Sequence, residues 1–81
     1  MTTRKLILTD TYVKVNNNPY FFVQITLGAA KICVSDTLPT EEDAYIMLTK
    51  GDVLTSSLVD GTLWAQMLYF QNDGVVLSVT E

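Results

Sequence analysis

Residues able to do covalent chemistry are scarce in this chain. It has no histidine and one cysteine, Cys33, so a hydroxyl or thiol nucleophile would lack the usual imidazole base. One cysteine makes neither an intrachain disulfide nor a Cys-x-x-Cys zinc or redox site. Glu41, Glu42 and Asp43 are sequence neighbours, not carboxylates converging across a cleft, and read as a solvated, helix-capping acidic patch. Asp52, Asp60 and Asp73 each adjoin a glycine, which is turn chemistry, and they lack the alternating spacing of a calcium loop. The residue types therefore point away from an enzyme and imply no metal or cofactor.

Binding chemistry is better supplied. Trp64 is the only tryptophan; it suits either a core anchor under one sheet or a platform for stacking a sugar. Tyr20 and Phe22 alternate with Phe21, Val23, Ile25 and Leu27, so both faces of that segment are apolar. Either the strand is covered on both sides or its outer face meets a second subunit. Met67 and Tyr69, in an apolar run before Phe70, raise the same question. Arg4 and Lys5 give the N-terminal residues 1–5 the look of an arm able to reach a partner. Tyr20, Phe22, Met67, Tyr69, Arg4 and Lys5 are the candidate interface residues.

The elements that must position these groups are strands, because the dominant hydrophobic period is two. Tyr20–Leu27 is half-buried, with Phe21, Val23, Ile25 and Leu27 inward. Gly28-Ala29 reads as a tight reversal, after which Ala30, Ile32 and Val34 face inward opposite Lys31, Cys33 and Ser35, leaving Cys33 partly exposed. Val75, Leu77 and Val79 form another inward row; Asn72-Asp73-Gly74 before them signals a hairpin with Leu63–Phe70. Lys5–Leu8, Thr11–Val15 and Tyr45–Lys50 complete about seven strands; Thr40–Asp43 before the last resembles a capping box, so residues 40–48 form either a helix of at most two turns or, the favoured reading, a single turn leading into a strand. The expected fold is all-β: one small antiparallel sandwich, or a jelly-roll-like open barrel, over residues 1–81.

Composition bounds the partners. The chain has 81 residues, 48% of them apolar and only 17% charged, which is much apolar surface for so small a core. The formal charge of −4 lies wholly in residues 51–81 and argues against nucleic-acid binding. No apolar run approaches the ~20 residues of a membrane span. The N-terminus lacks the apolar stretch of a secretory signal, so synthesis in a cytoplasm without export by that route is expected.

Four stretches add a resemblance. Ser35-Asp36-Thr37-Leu38-Pro39-Thr40, Leu48-Thr49-Lys50-Gly51-Asp52, Gly61-Thr62-Leu63-Trp64-Ala65 and the closing Asp73-Gly74-Val75-Val76-Leu77-Ser78-Val79-Thr80-Glu81 occur in that order. This succession, over roughly residues 30–81, resembles small all-β accessory domains of tailed-bacteriophage virions. Such domains serve as capsid decoration or cement proteins, or as head-fibre and tail-adaptor modules, commonly as dimers or trimers. The resemblance implies a virion location, the major capsid protein or other virion proteins as partners, and a homo-oligomer. Its motifs are turn and core motifs, so no functional residue transfers with it. A decoration or cement protein is the leading expectation, with a head–tail or tail-fibre adaptor and a carbohydrate-binding module as alternatives.

Overall fold

The structure, a computed structural model, describes residues 1–69, 71–72 and 74–81. Eight strands follow in order: β1 (Thr3–Leu8), β2 (Val13–Lys14), β3 (Phe22–Leu27), β4 (Ala29–Val34), β5 (Ile46–Thr49), β6 (Val53–Thr55), β7 (Leu63–Met67) and β8 (Val75–Thr80). They form two antiparallel four-stranded sheets, ordered β1-β8-β3-β6 and β2-β7-β4-β5. The all-β sandwich expected from the alternating pattern is the fold. Seven strands match the seven expected, and β6 is the eighth: Val53–Thr55, a three-residue element between Gly51-Asp52 and Ser56-Ser57, too short to show a period.

The two sheet orders are one order written twice. Each position is filled by consecutive halves of one long bent strand: β1 with β2, β8 with β7, β3 with β4, β6 with β5. The molecule is thus a single antiparallel sheet of four long strands folded across its middle. The fold line runs through residues 9–12, Gly28, residues 50–52, residues 68–69 and 71–72, and Gly74, and is tied by backbone bonds from Met67 N–H to the Thr9 carbonyl (2.8 Å) and Gly51 N–H to the Ile25 carbonyl (2.8 Å). At the opposite, open end, residues 15–21 and 56–62 cross from one layer to the other.

This architecture corrects two local readings. Gly28 does not reverse the chain into a hairpin, because β3 and β4 lie in different sheets; it is the corner where one long strand passes between layers. The inward row also changes parity there, from Val23 and Ile25 to Ala30 and Ile32. The β3–β8 register is irregular between Ile25 and Leu27, so a bulge supplies the extra residue that turns the ribbon's other face to the core. Nor are β7 and β8 a hairpin: β7 pairs with β2 and β4, β8 with β1 and β3. Asp73 of the expected turn and Phe70 of the expected strand lie outside the described residues.

Between the layers, Leu8, Val15, Phe21, Val23, Ile25, Ala30, Ile32, Leu54, Leu63, Ala65, Val75, Leu77 and Val79 are buried together. Val34, expected inward, is exposed because the end of β4 runs past this core, where it lines an open hollow with Ala44, Tyr45 and Ile46. Residues 1–5 are not a free arm: Thr3–Lys5 are ladder residues of β1 opposite Thr80, Val79 and Ser78, and Thr2 N–H bonds the Glu81 carbonyl at 2.9 Å.

Candidate functional site

The strand phases leave two outer faces with different fates. On the second sheet, residues 35–45 fold back over the face carrying Lys31, Cys33, Trp64 and Gln66. Thr40 and Asp43 close the single turn reciprocally, Asp43 N–H on the Thr40 carbonyl (3.1 Å) and Thr40 N–H on the Asp43 carboxylate (2.8 Å). Glu41, carried over the sheet by that turn, accepts from Lys31 Nζ (3.2 Å) and Gln66 Nε2 (3.1 Å). The Lys31 ammonium also sits 4.7 Å from the Tyr45 ring centre, a cation–π contact.

Under this cover the groups with chemical potential are quietened. Cys33, expected to be partly exposed, is buried at 5% exposure because the 35–45 segment lies over its face. Burial pushes its thiol up, with the Asp43 charge adding to the effect, so it stays protonated and weakly nucleophilic. The Glu41 hydrogen bond raises Lys31 against the opposing effect of desolvation, keeping it an ammonium. Burial likewise raises Tyr12, whose hydroxyl is enclosed without a hydrogen-bond partner among the described residues, beside a hollow of about 250 Å³ lined by Pro39, Glu41 and Gln66. Trp64 is half-buried on this same face, not in the inter-sheet core, and its indole N–H donates to the Ser35 carbonyl at 2.9 Å. The ring thus pins the start of the covering segment.

The outer face of the first sheet is uncovered. Its cross-strand rows read Thr3, Thr80, Phe22, Thr55, then Lys5, Ser78, Gln24, Val53, and it carries no carboxylate in either row. Tyr20 is 70% exposed and Phe22 44% exposed; β3 is central within its sheet, yet only its inner face is covered. Ser56 bonds Phe21 twice, N–H to carbonyl (3.1 Å) and Phe21 N–H to Ser56 Oγ (3.2 Å), which carries the β3–β6 pairing past the strand ends. Exposed Val53 is diagonal to Phe22, and Leu58 is exposed in the turn that follows β6, closed by its N–H on the Thr55 carbonyl (3.0 Å).

The six expected interface residues do not form one patch. Tyr20, Phe22 and Lys5 share the first sheet's outer side. Tyr69 is exposed, but at the fold line, the other end of the molecule. Met67 points inward and packs against the core. Arg4 faces inward at the open end, donating to the Val15 carbonyl and to Glu81 Oε2 (3.0 Å). The missed surface residues include Ile7, in phase with Lys5 on the first sheet's outer face, Val53, Leu58 and the edge run Tyr45, Ile46, Met47; apolar residues at both parities, the signal at Tyr20 and Phe22, also mark Tyr45–Leu48.

The Arg4–Glu81 pair sets an acid limit on stability. Burial works to raise the Glu81 carboxyl, but the Arg4 hydrogen bond and the N–H groups of Asn17 and Asn18 outweigh it and hold it below the ordinary 4.5. A depressed folded value adds stability above the unfolded value, lost as pH falls through the folded one. Urea midpoints should therefore decline as the pH is lowered below about 4.5, and Glu81→Gln should flatten that decline while lowering stability at neutral pH. An unchanged acid slope in Glu81→Gln would show that another carboxylate carries it.

Among the described residues no cluster of three or more Cys, Asp or Glu side chains is placed to hold a metal ion, and no helix is long and apolar enough to cross a membrane. Comparison with family models, curated proteins and solved structures found no match to this chain.

Proposed function

We propose that this chain is a structural accessory protein of a tailed-bacteriophage virion, a decoration or cement protein bound outside the head between capsomers. The observation that carries this reading is the uncovered outer face of the first sheet, with Tyr20, Phe22 and Val53 exposed on one side of it and rows of hydroxyls beyond. With Lys5 as the one charged side chain in these two rows, the face is cheaper to desolvate than a densely charged surface. It is also rich in groups that a neighbouring sheet or loop can hydrogen-bond. The partner is the major capsid protein, and the mechanism is passive: capsomer separation must break the added contacts. Repetition over the lattice multiplies weak individual attachments.

The test is binding of the purified protein to expanded phage heads lacking an accessory protein. Saturable binding in many copies per head, with greater resistance of the heads to heat or chaotrope, is expected. Phe22→Ser should weaken binding at least about tenfold, the scale of a lost interface anchor, while leaving the urea midpoint nearly unchanged. Absence of binding at micromolar protein, or copy numbers matching the tail's symmetry, would overturn the decoration reading.

A further inference from the structure

The edge strand β5 has a backbone pattern that selects a partner. Thr49 has both backbone groups engaged by Asp52: its N–H bonds the carboxylate at 2.8 Å and its carbonyl takes the Asp52 N–H at 2.9 Å. Ala29, opposite Thr49, gives its N–H to Gln71 Oε1 (2.9 Å) and its carbonyl to Leu68 N–H (3.2 Å) and Gln71 Nε2 (2.9 Å). The Ala29–Thr49 pair is therefore not hydrogen-bonded across the ladder. Antiparallel pairs alternate, so Ala30–Leu48 and Ile32–Ile46 are the bonded pairs, while Lys31–Met47 is not. The N–H and carbonyl of Met47 consequently point outward, away from β4. Tyr45, two residues earlier, is in phase with Met47. The free stretch is bounded on one side by Thr49 and on the other by Asp43, whose N–H is held by Thr40.

The geometry points to a second copy of this chain as the occupant of that edge, paired antiparallel through β5 about a twofold axis at Ile46. Tyr45 of each copy then lies opposite Met47 of the other, and the two outward pairs exchange four backbone hydrogen bonds. A shift by two residues in either direction would bring the engaged Thr49 or Asp43 into the ladder, so the pattern admits one register. The side chains agree with it. Tyr45 and Met47, exposed at 46% and 57%, meet on one face as a sulfur–aromatic pair. On the other face Ile46 meets Ile46 and extends the Ile32–Ile46 row across both copies. Charge agrees too: acidic Glu42 precedes the strand and Lys50 follows it, so antiparallel pairing brings Glu42 of each copy towards Lys50 of the other, twice. The covering segment 35–45 lies over the sheet face, leaving the edge open.

This inference does not rest on the virion reading and is tested without heads. Sedimentation equilibrium from about 10 μM to about 1 mM should show the mass rising from 9.0 kDa towards twice that value. A short edge buries less than the ~1,200 Å² of a standard interface, so a micromolar or weaker dimer is expected. Met47→Pro removes an outward N–H that the monomer's own sheet does not use, and should weaken association at least about tenfold. Lys50→Glu should also weaken it, and adding Glu42→Lys to the same chain should restore it. This charge exchange decides the matter even if the proline variant fails to fold. A monomer throughout the range, or a dimer indifferent to the charge exchange, would overturn the proposal.

Discussion

Gly28→Ala is expected to remove a large part of the stability of the fold. Gly28 sits at the corner where β3 becomes β4, at φ 79°, and a Cβ there would lie 2.5 Å from Gln71 Oε1, 2.8 Å from the Gly74 carbonyl and 3.0 Å from Val75 Cγ2. The left-handed backbone alone costs an L-residue about 1–2 kcal/mol. Forcing atoms into a packed region adds about 1–3 kcal/mol. The Gln71 side chain could swing away, but only by giving up its paired bonds to the Ala29 N–H and carbonyl, both 2.9 Å; the Gly74 oxygen is backbone and cannot. A loss of about 3 kcal/mol follows, against a total of roughly 4–12 kcal/mol for a chain this long. Gly51→Ala is the control: its φ is 94°, yet a Cβ meets nothing within 4 Å, so only the backbone cost of about 1–2 kcal/mol applies. Urea unfolding followed by Trp64 fluorescence measures both. Equal losses would mean that the corner is not closely packed.

The same corner shows what the chain's pattern discloses and what it hides. Alternation places Val23, Ile25, Val75, Leu77 and Val79 inward because each strand meets one core, and local period reports that directly. Period does not report which sheet a segment joins. A lone glycine between two alternating runs looks like a reversal, and only distant groups, the Gly74 carbonyl and the Gln71 amide, make it a passage between layers. Cys33 was hidden for a related reason: its parity is outward, and its burial comes from Glu41 reaching Lys31 and Gln66 across 10 and 25 residues of sequence. The exposed aromatic pair Tyr20 and Phe22 was legible, since apolar side chains at both parities of a half-buried strand leave one set over. Their separation from Met67 and Tyr69 was not, because four side chains of similar chemistry are distributed by topology to two ends and two layers of the molecule.

The open end of the folded sheet depends on one buried amide, and the second large effect is expected there. Asn16, 4% exposed, accepts the Leu63 N–H at its Oδ1 (2.8 Å) and donates through Nδ2 to the carbonyls of Asn18 (3.0 Å) and Gly61 (3.1 Å). It thereby joins both crossings, residues 15–21 and 56–62, just where each passes between layers. Asn16→Ala leaves the buried Leu63 N–H without its acceptor, where water replaces it poorly, and takes the shared donor from the Asn18 and Gly61 carbonyls of the two crossings. The expected loss is about 3 kcal/mol. Asn16→Asp keeps the shape and the bond from Leu63 but turns a negative oxygen towards two carbonyl oxygens. Its folded pKa must then rise above the unfolded ~3.9, because only the protonated acid can donate. A raised folded value gives stability below the unfolded pKa that is lost as pH rises through the folded one, so Asn16→Asp should be closest to the parent protein in acid and fall behind it towards neutral pH. This is the opposite slope to that of the Arg4–Glu81 pair, which makes the two separable in one series of urea midpoints. A constant gap between Asn16→Asp and the parent across that series would show that Nδ2 does not hold the two carbonyls, and that the crossings are joined by backbone contacts alone.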